Sequence, residues 1–333
     1  FLVGLELEPR RLWSLRRPIF GWGSAQLLGC AIALALAGVA LGVPWRTSVV
    51  AALGLALSST AIALQVMQER NLLRTSAGQA GFSILLFQDV AAIPILALLP
   101  LMGTLADGAS GPQGVSSSAG WPLEAIQIIA VVGAIIFGGR LLLRPALRWI
   151  ARSRTAEVFT AAALLLVVGI ALLMQGLGLS MALGAFLAGV LLADSEYRRE
   201  LETDIEPFKG LLLGLFFIAV GMSIDFGVLL ASPGLMAAIV AGFLAVKLAV
   251  IYALSRTMRL PPQDRPVFTL LLAQGGEFAF VVFQAAAGAR VFEPETASLL
   301  IGAVALSMLL GPLLLIAVDR LLLPRFANCN QPV

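Results

Sequence analysis

The chain has 333 residues, of which 59% are hydrophobic and only 12% charged, and a formal net charge of +3. Uncharged runs of 18 or more residues recur along it, a composition that belongs to an integral membrane protein and not to a soluble globular domain. Histidine is absent, which removes histidine-based catalysis and the commonest zinc sites, and two cysteines, Cys30 in an apolar run and Cys329 in the tail, give no disulfide or metal framework.

The opening "FLVGLELEP" reads as the last turns of a membrane helix entering a charged loop, as if the chain were cut inside a span, and nothing resembles a cleavable signal peptide. Ten candidate spans follow, uncharged except for one residue in each of three, at 19–43, 47–68, 75–106, 125–139, 158–175, 179–193, 210–224, 234–255, 266–289 and 296–318. The run 158–193 reads either as one long tilted helix or as two joined at Gly176-Leu177-Gly178. With two helices, 19 basic residues fall on one side of the membrane against Arg46 and Arg290 on the other, whereas a single helix gives 12 against 9. The positive-inside rule therefore selects ten spans with the basic loops and the C-terminus in the cytoplasm. The net charge reports orientation in a lipid bilayer and not nucleic-acid binding. Arg140, Arg144, Arg148 and Arg152 recur every four residues, as a snorkelling helix end or a lipid-headgroup site would. Residues 107–120, "DGASGPQGVSSSAG", read as a flexible external loop.

Three ionisable side chains sit deep in the spans: Asp89 in "LLFQDVAAIP", Lys247 in "AGFLAVKLAVIY" and Glu277 in "QGGEFAF". A charge at bilayer depth costs at least about 2.5–3.5 kcal/mol on insertion scales, so each marks a functional site or a buried partner. A structural ion pair of Asp89 with Lys247 is the alternative to a functional role. Two spans carry helix-breaking chemistry at mid-depth, Ser58-Ser59-Thr60 in 47–68 and Gln274-Gly275-Gly276-Glu277 in 266–289. Each is the middle span of a three-span unit, 19–106 and 234–318, and the four spans between them put the two units in opposite orientation. This is the pattern of an inverted-repeat secondary transporter whose site lies where the broken helices cross. Pro94 frees the Val90 carbonyl one residue from Asp89. A proton and a monovalent cation then compete for one carboxylate. Protonated and cation-bound Asp89 are both neutral and the empty form is charged, so a site that moves only when filled exchanges one for the other.

The segments "LALSSTAIALQVMQERNL", "LLFQDVAAIP", "GLSMALGAFLAGVLLADSEYR", "DIEPFKGLLLGLFFIAVGMSIDF" and "QGGEFAFVVF" make nearly the whole chain resemble the membrane domain of the Kef glutathione-gated potassium efflux systems, in the monovalent cation:proton antiporter-2 family. The resemblance implies an all-α, thirteen-helix antiporter domain in a bacterial inner membrane. This chain would keep its last ten helices and the end of the third, with 19–106 and 234–318 as the two halves of the core and 125–224 as linker and dimer-side helices. It implies an ion site at Gln88-Asp89 for potassium, support from Ser58, Ser59, Thr60, Gln274, Gly275, Gly276 and Glu277, and an electrostatic role for Lys247. Electrogenic sodium/proton antiporters carry an Asp-Asp pair where this chain has Gln88-Asp89, which implies another partner for Lys247 and a one-for-one exchange.

Potassium and protons are thus the expected substrates, with no cofactor in this chain and no enzyme activity. The expected partners are a second copy of the chain, a cytosolic nucleotide- and glutathione-binding regulatory domain, and an ancillary oxidoreductase subunit. The chain departs from the family pattern in ending at "RFANCNQPV" without a G-x-G-x-x-G. The regulatory loop reads Arg199-Glu200-Leu201-Glu202-Thr203-Asp204 where the family usually has His-Ala-Leu-Glu-Ser-Asp. The acidic residues of the loop 194–209, with Glu200, Glu202 and Asp204 at its centre, form either a solvated linker or a docking strip for basic residues of the regulatory domain. A sodium-selective antiporter on the same scaffold is the second reading. An intramembrane aspartyl protease is a third, from another class, and it needs a second deep aspartate.

Overall fold

A computed structural model describes residues 16–104, 156–176, 181–193, 198–223 and 232–321, with positions 133, 195 and 227 besides. The regular elements among them are helical: α1 (Arg16–Ala40), α2 (Trp45–Ala56), α3 (Thr60–Glu69), a 3-10 turn (Leu72–Arg74), α4 (Ser76–Thr104), α5 (Ala156–Gly176), α6 (Met181–Ala193), α7 (Arg198–Ser223), α8 (Pro233–Thr257), α9 (Arg265–Ala273), α10 (Glu277–Gly288) and α11 (Pro294–Leu321). The expected span 125–139 (apart from Gly133), the arginine row and the loop 107–120 lie outside the described residues, as does the opening segment. Seven of the elements, with α2–α3 and α9–α10 each taken as one broken span, are long and apolar enough to cross a membrane, and the bent α7 makes an eighth. The run 158–193 is two helices, α5 and α6, as the distribution of basic residues requires.

Large apolar side chains stand exposed in stripes, such as Leu28, Ile32, Leu36 and Val39 on α1 and Leu164, Leu165, Val168, Leu172 and Leu173 on α5. That inversion of the usual surface suits a solvent of lipid tails. Local signals set the helix ends. Gly42, at φ +85°, turns the chain after α1, and Pro44 caps α2. The Ser59 hydroxyl accepts from the Ile62 N–H at the start of α3, and the Thr75 hydroxyl accepts from the Gly78 N–H at the start of α4.

The chain divides into two compact units, one of residues 1–14 and 93–222 and the other of residues 15–92 and 223–333. In the first, Phe159, Ala163 and Val167, spaced four apart on α5, pack with Ala188 and Leu192 of α6 and Leu201 of α7. The expected loop 194–209 is helical from Arg198 onward, because Leu201 and Ile205 recur at helical spacing and are both buried.

The second unit holds two similar triads, α1 with α2–α3 and α4 as far as Ala92, and α8 with α9–α10 and α11. The broken spans cross antiparallel, since α2 packs on α10 and α3 on α9. At the crossing the backbone is extended at Leu57, Ser59, Gln274 and Gly276. The two segments touch backbone to backbone: a Cβ on Gly276 would stand 2.5 Å from the Ser58 carbonyl oxygen. Only glycine permits that approach. The C-terminal ends of α2 and α9 both point into the crossing, where their partial negative charges meet. Lys247, fully buried on α8, answers both. Its Nζ donates to the Leu57 carbonyl at 2.9 Å, the Gln274 carbonyl at 3.0 Å and the Ser58 hydroxyl at 3.3 Å.

Two stability effects follow, each read from the thermal unfolding midpoint in detergent. Gly276→Val forces the crossing segments apart and is expected to cost about 1–3 kcal/mol, whereas Gly242→Ala, whose added Cβ meets nothing within 4 Å, leaves the midpoint in place. Lys247→Met keeps the side-chain volume but orphans two buried carbonyls, at about 1–3 kcal/mol each, and should lower the midpoint more than Gly276→Val does.

Candidate functional site

The crossing also brings together the N-terminal ends of α3 and α10, whose partial charges are positive, and each attracts a carboxylate. Asp89, on α4 and buried, accepts a hydrogen bond from the Thr60 hydroxyl at 3.0 Å, at the first residue of α3. Glu277, the first residue of α10, turns its carboxylate toward the start of α3, where the Ser59 hydroxyl and the backbone N–H groups of Thr60 and Ala61 are donors. Its Oε2 is buried and has no hydrogen-bond partner of its own. The charges are thus sorted by dipole, with one lysine at two C-terminal ends and two carboxylates about the N-terminal end of α3.

Polar side chains hold this geometry in place. Gln88 accepts from the Ser58 N–H at 2.8 Å, and its Nε2 donates to the Gln26 Oε1 at 2.6 Å and the Ser58 hydroxyl at 3.3 Å. Gln26, on α1 and fully buried, donates in turn to the Ala56 carbonyl at 3.3 Å. The Ser58 hydroxyl donates to the Leu272 carbonyl at 2.6 Å. In the second half, Ser307 of α11 accepts from the Gly275 N–H at 3.0 Å. The two breaks are tied alike, each with an extended-segment N–H bonded to a side chain from the third span of its own triad.

All the sequence-derived core residues therefore meet in one place: Ser58, Ser59, Thr60, Gln88, Asp89, Lys247, Gln274, Gly275, Gly276 and Glu277. Their tasks differ. Lys247 uses its three N–H groups on Leu57, Gln274 and Ser58, so the lysine serves the helix ends and not an ion pair with Asp89. Gln88 is engaged at both ends of its amide as a tie to the break. Gln26 and Ser307 are additional members of the site. Each is a polar residue at mid-span in the outer helix of a triad, a signal present in "GSAQLLGC" and "AVALSMLLGP" but weaker than a charge.

Glu200, Glu202 and Asp204 lie in the other unit, on α7. Glu202 pairs with Arg198 one turn earlier at 2.7 Å, and Asp204 accepts from the Thr160 hydroxyl of α5 at 2.6 Å. Two of the three carboxylates thus bond within their own unit, and the exposed Glu200 is the one turned to solvent.

Comparison with known proteins gives a consistent relationship. Residues 1–318 match the family described as "Sodium/hydrogen exchanger, transmembrane". The chain is 51% identical over 321 residues to the glutathione-regulated potassium-efflux system protein KefC of Escherichia coli, covering 96% of this chain and 51% of that protein, and equally so to KefC of Shigella boydii serotype 18. It spans about half the length of the curated relatives it matches. Among solved structures, the sodium proton antiporter MjNhaP1 from Methanocaldococcus jannaschii shares the fold, with a TM-score of 0.60 at 16% identity over 96% of this chain and 80% of that one. The chain belongs to the sodium/hydrogen exchanger family of transmembrane proteins.

Proposed function

We propose that the protein exchanges potassium for protons across a bacterial inner membrane, with the Asp89 carboxylate binding the two ions in turn. The observation that carries this reading is a carboxylate buried at the crossing of two broken helices, held by a hydroxyl at a helix N-terminus and separate from the one lysine there. Potassium as the cation is supported by the potassium efflux for which the KefC relatives are named.

Charge accounting at the site supports one-for-one exchange. Asp89, Glu277 and Lys247 sum to −1 whether Glu277 and Lys247 carry opposite charges or are both neutral. One potassium ion or one proton brings the sum to zero, and only a filled site is cheap to move through an apolar barrier. The Thr60 hydroxyl, bonded to Asp89, and the Val90 carbonyl, freed by Pro94 and one residue along the chain, are neutral oxygens suited to completing a cation shell.

The C-terminus and the basic loops belong to the cytoplasmic side in this reading, the working unit is a homodimer, and regulation enters through a cytosolic nucleotide- and glutathione-binding domain and an ancillary oxidoreductase. Glu200 is the residue of α7 suited to receive a basic partner. Sodium in place of potassium is the second reading, favoured by the function of the structural neighbour MjNhaP1. The protease reading lacks its second aspartate, since among the described residues Asp89 is the one aspartate at mid-span depth.

Cation-induced proton movement in proteoliposomes tests the proposal, comparing potassium, rubidium and sodium. Potassium and rubidium are expected to drive it and sodium not. Asp89→Asn, near-isosteric but unable to alternate charge, should reduce both cation and proton movement to the liposome background while the unfolding midpoint stays close to that of the unchanged protein. Appreciable antiport by folded Asp89→Asn protein would overturn the shared-carboxylate mechanism. Electroneutrality has its own readout: an imposed membrane potential should leave the initial rate unchanged, whereas an unequal exchange would speed or slow with its sign.

A further inference from the structure

In the exchange proposed above, the Asp89 carboxylate and the Thr60 hydroxyl must stand at a fixed spacing, and Thr60 opens a half-helix, where the backbone constrains itself least. The first intrahelical bond of α3 is donated by Ala63, to the Ser59 carbonyl. The Ile62 N–H is taken by the Ser59 hydroxyl, which leaves the N–H groups of Thr60 and Ala61 to find an acceptor elsewhere. That acceptor comes from the other half of the crossing. Glu277 stands first in α10 as Thr60 stands first in α3, and its carboxylate faces its own N–H, the Ser59 hydroxyl and the N–H groups of Thr60 and Ala61. One side chain is thus shared by two helix N-terminal ends, in the place an anion would occupy. The reach is short because Gly276, the cap residue of α10, lies against the Ser58 carbonyl and the Ser59 nitrogen.

We propose that Glu277 is a strut that sets the ion preference of the site: by pinning the first turn of α3 from α10, it holds the Thr60 hydroxyl at one distance from the Asp89 carboxylate. The proposal rests on the exchange reading and deepens it, with Glu277 as a positioning residue that acts through Thr60 and touches no ion. Selection by size needs a frame that cannot contract. A first turn of α3 free to shift would let the two oxygens close on sodium, the smaller ion. One held from across the crossing keeps them at the spacing of potassium. The charge of Glu277 alone would not discriminate in this way, since its field raises the affinity for both monovalent cations together.

Length and charge can be varied separately at this position. Glu277→Gln keeps the length and one acceptor oxygen, and its amide group takes the place of Oε2, which bonds to nothing. Glu277→Asp keeps the charge but is one methylene shorter and falls short of α3. The full-length protein in detergent is titrated with potassium and with sodium at constant pH and ionic strength, and the rise in unfolding midpoint gives an affinity for each without passing through transport. The unchanged protein is expected to bind potassium more tightly than sodium. Glu277→Gln should keep that ratio within about twofold, and Glu277→Asp should reduce it about tenfold. Glu277→Met, of similar length but without the acceptor, should lose the ratio as well, and it carries the test if Glu277→Asp fails to fold. A residue that only stabilises the fold would lower the midpoint and leave the ratio in place. Equal affinities or a preference for sodium in the unchanged protein overturn the proposal. So does a ratio that survives in folded Glu277→Asp or Glu277→Met, or one that falls as far in Glu277→Gln as in those two. Cation-induced proton movement is measured on the same preparations, and its absence beside a retained, length-dependent ion preference would overturn the exchange reading and leave the strut standing.

Discussion

Backbone N–H and C=O groups that leave a helix in the middle of a membrane have no water to turn to, and each one left unpaired costs about 1–3 kcal/mol. Everything at the centre of this protein answers that constraint. The Leu57 and Gln274 carbonyls take the Lys247 ammonium, the Ser58 N–H takes Gln88, the Gly275 N–H takes Ser307, and the Ala56 and Leu272 carbonyls take Gln26 and the Ser58 hydroxyl. A lysine suits the first task better than a neutral donor. It serves two carbonyls at once, and both belong to helix ends of negative potential. The candidate ion site grows out of the same accounting: the turn of α4 that brings Gln88 to the break brings Asp89, one residue on, to the start of α3.

In the proposed exchange, that arrangement separates holding the crossing from binding the ion. Lys247, Gln26, Gln88 and Ser307 make bonds whose loss loosens the fold. Asp89 has a hydroxyl neighbour in Thr60, a group that can donate to a carboxylate or offer its oxygen to a cation. Such a neighbour tolerates exchange of the ion, where a fixed ammonium beside the carboxylate would compete with any cation that arrived.

How much of this could be read beforehand follows from how each feature is written in the sequence. The breaks were legible because Ser-Ser-Thr and Gln-Gly-Gly-Glu interrupt apolar runs, and Asp89, Lys247 and Glu277 because a charge in such a run is conspicuous. The partners of Lys247 were not, since they are backbone carbonyls and every residue has one. Gln26 and Ser307 do comparable work without charge and so gave no comparable signal. Six carboxylates between residues 194 and 209 make the start of α7 read as a loop, yet Leu201 and Ile205, four apart, are buried and decide the local structure. A cavity beside Arg70 and Asp264 has no trace in the sequence, being assembled from two stretches far apart in the chain, 67–81 and 263–272.

The two triads are built alike but not equipped alike. The first span of one places Gln26 on a carbonyl at the break, and the first span of the other places Lys247 there. In an inverted repeat, turning from one face of the membrane to the other amounts to the halves trading geometries, and in a perfectly symmetric molecule the two facings would be equal in energy. A neutral clamp on one side and a charged one on the other removes that degeneracy. Under the proposed exchange, the molecule with no ions bound would then have a preferred direction in which to face, fixed by a single ammonium group before any gradient acts on it.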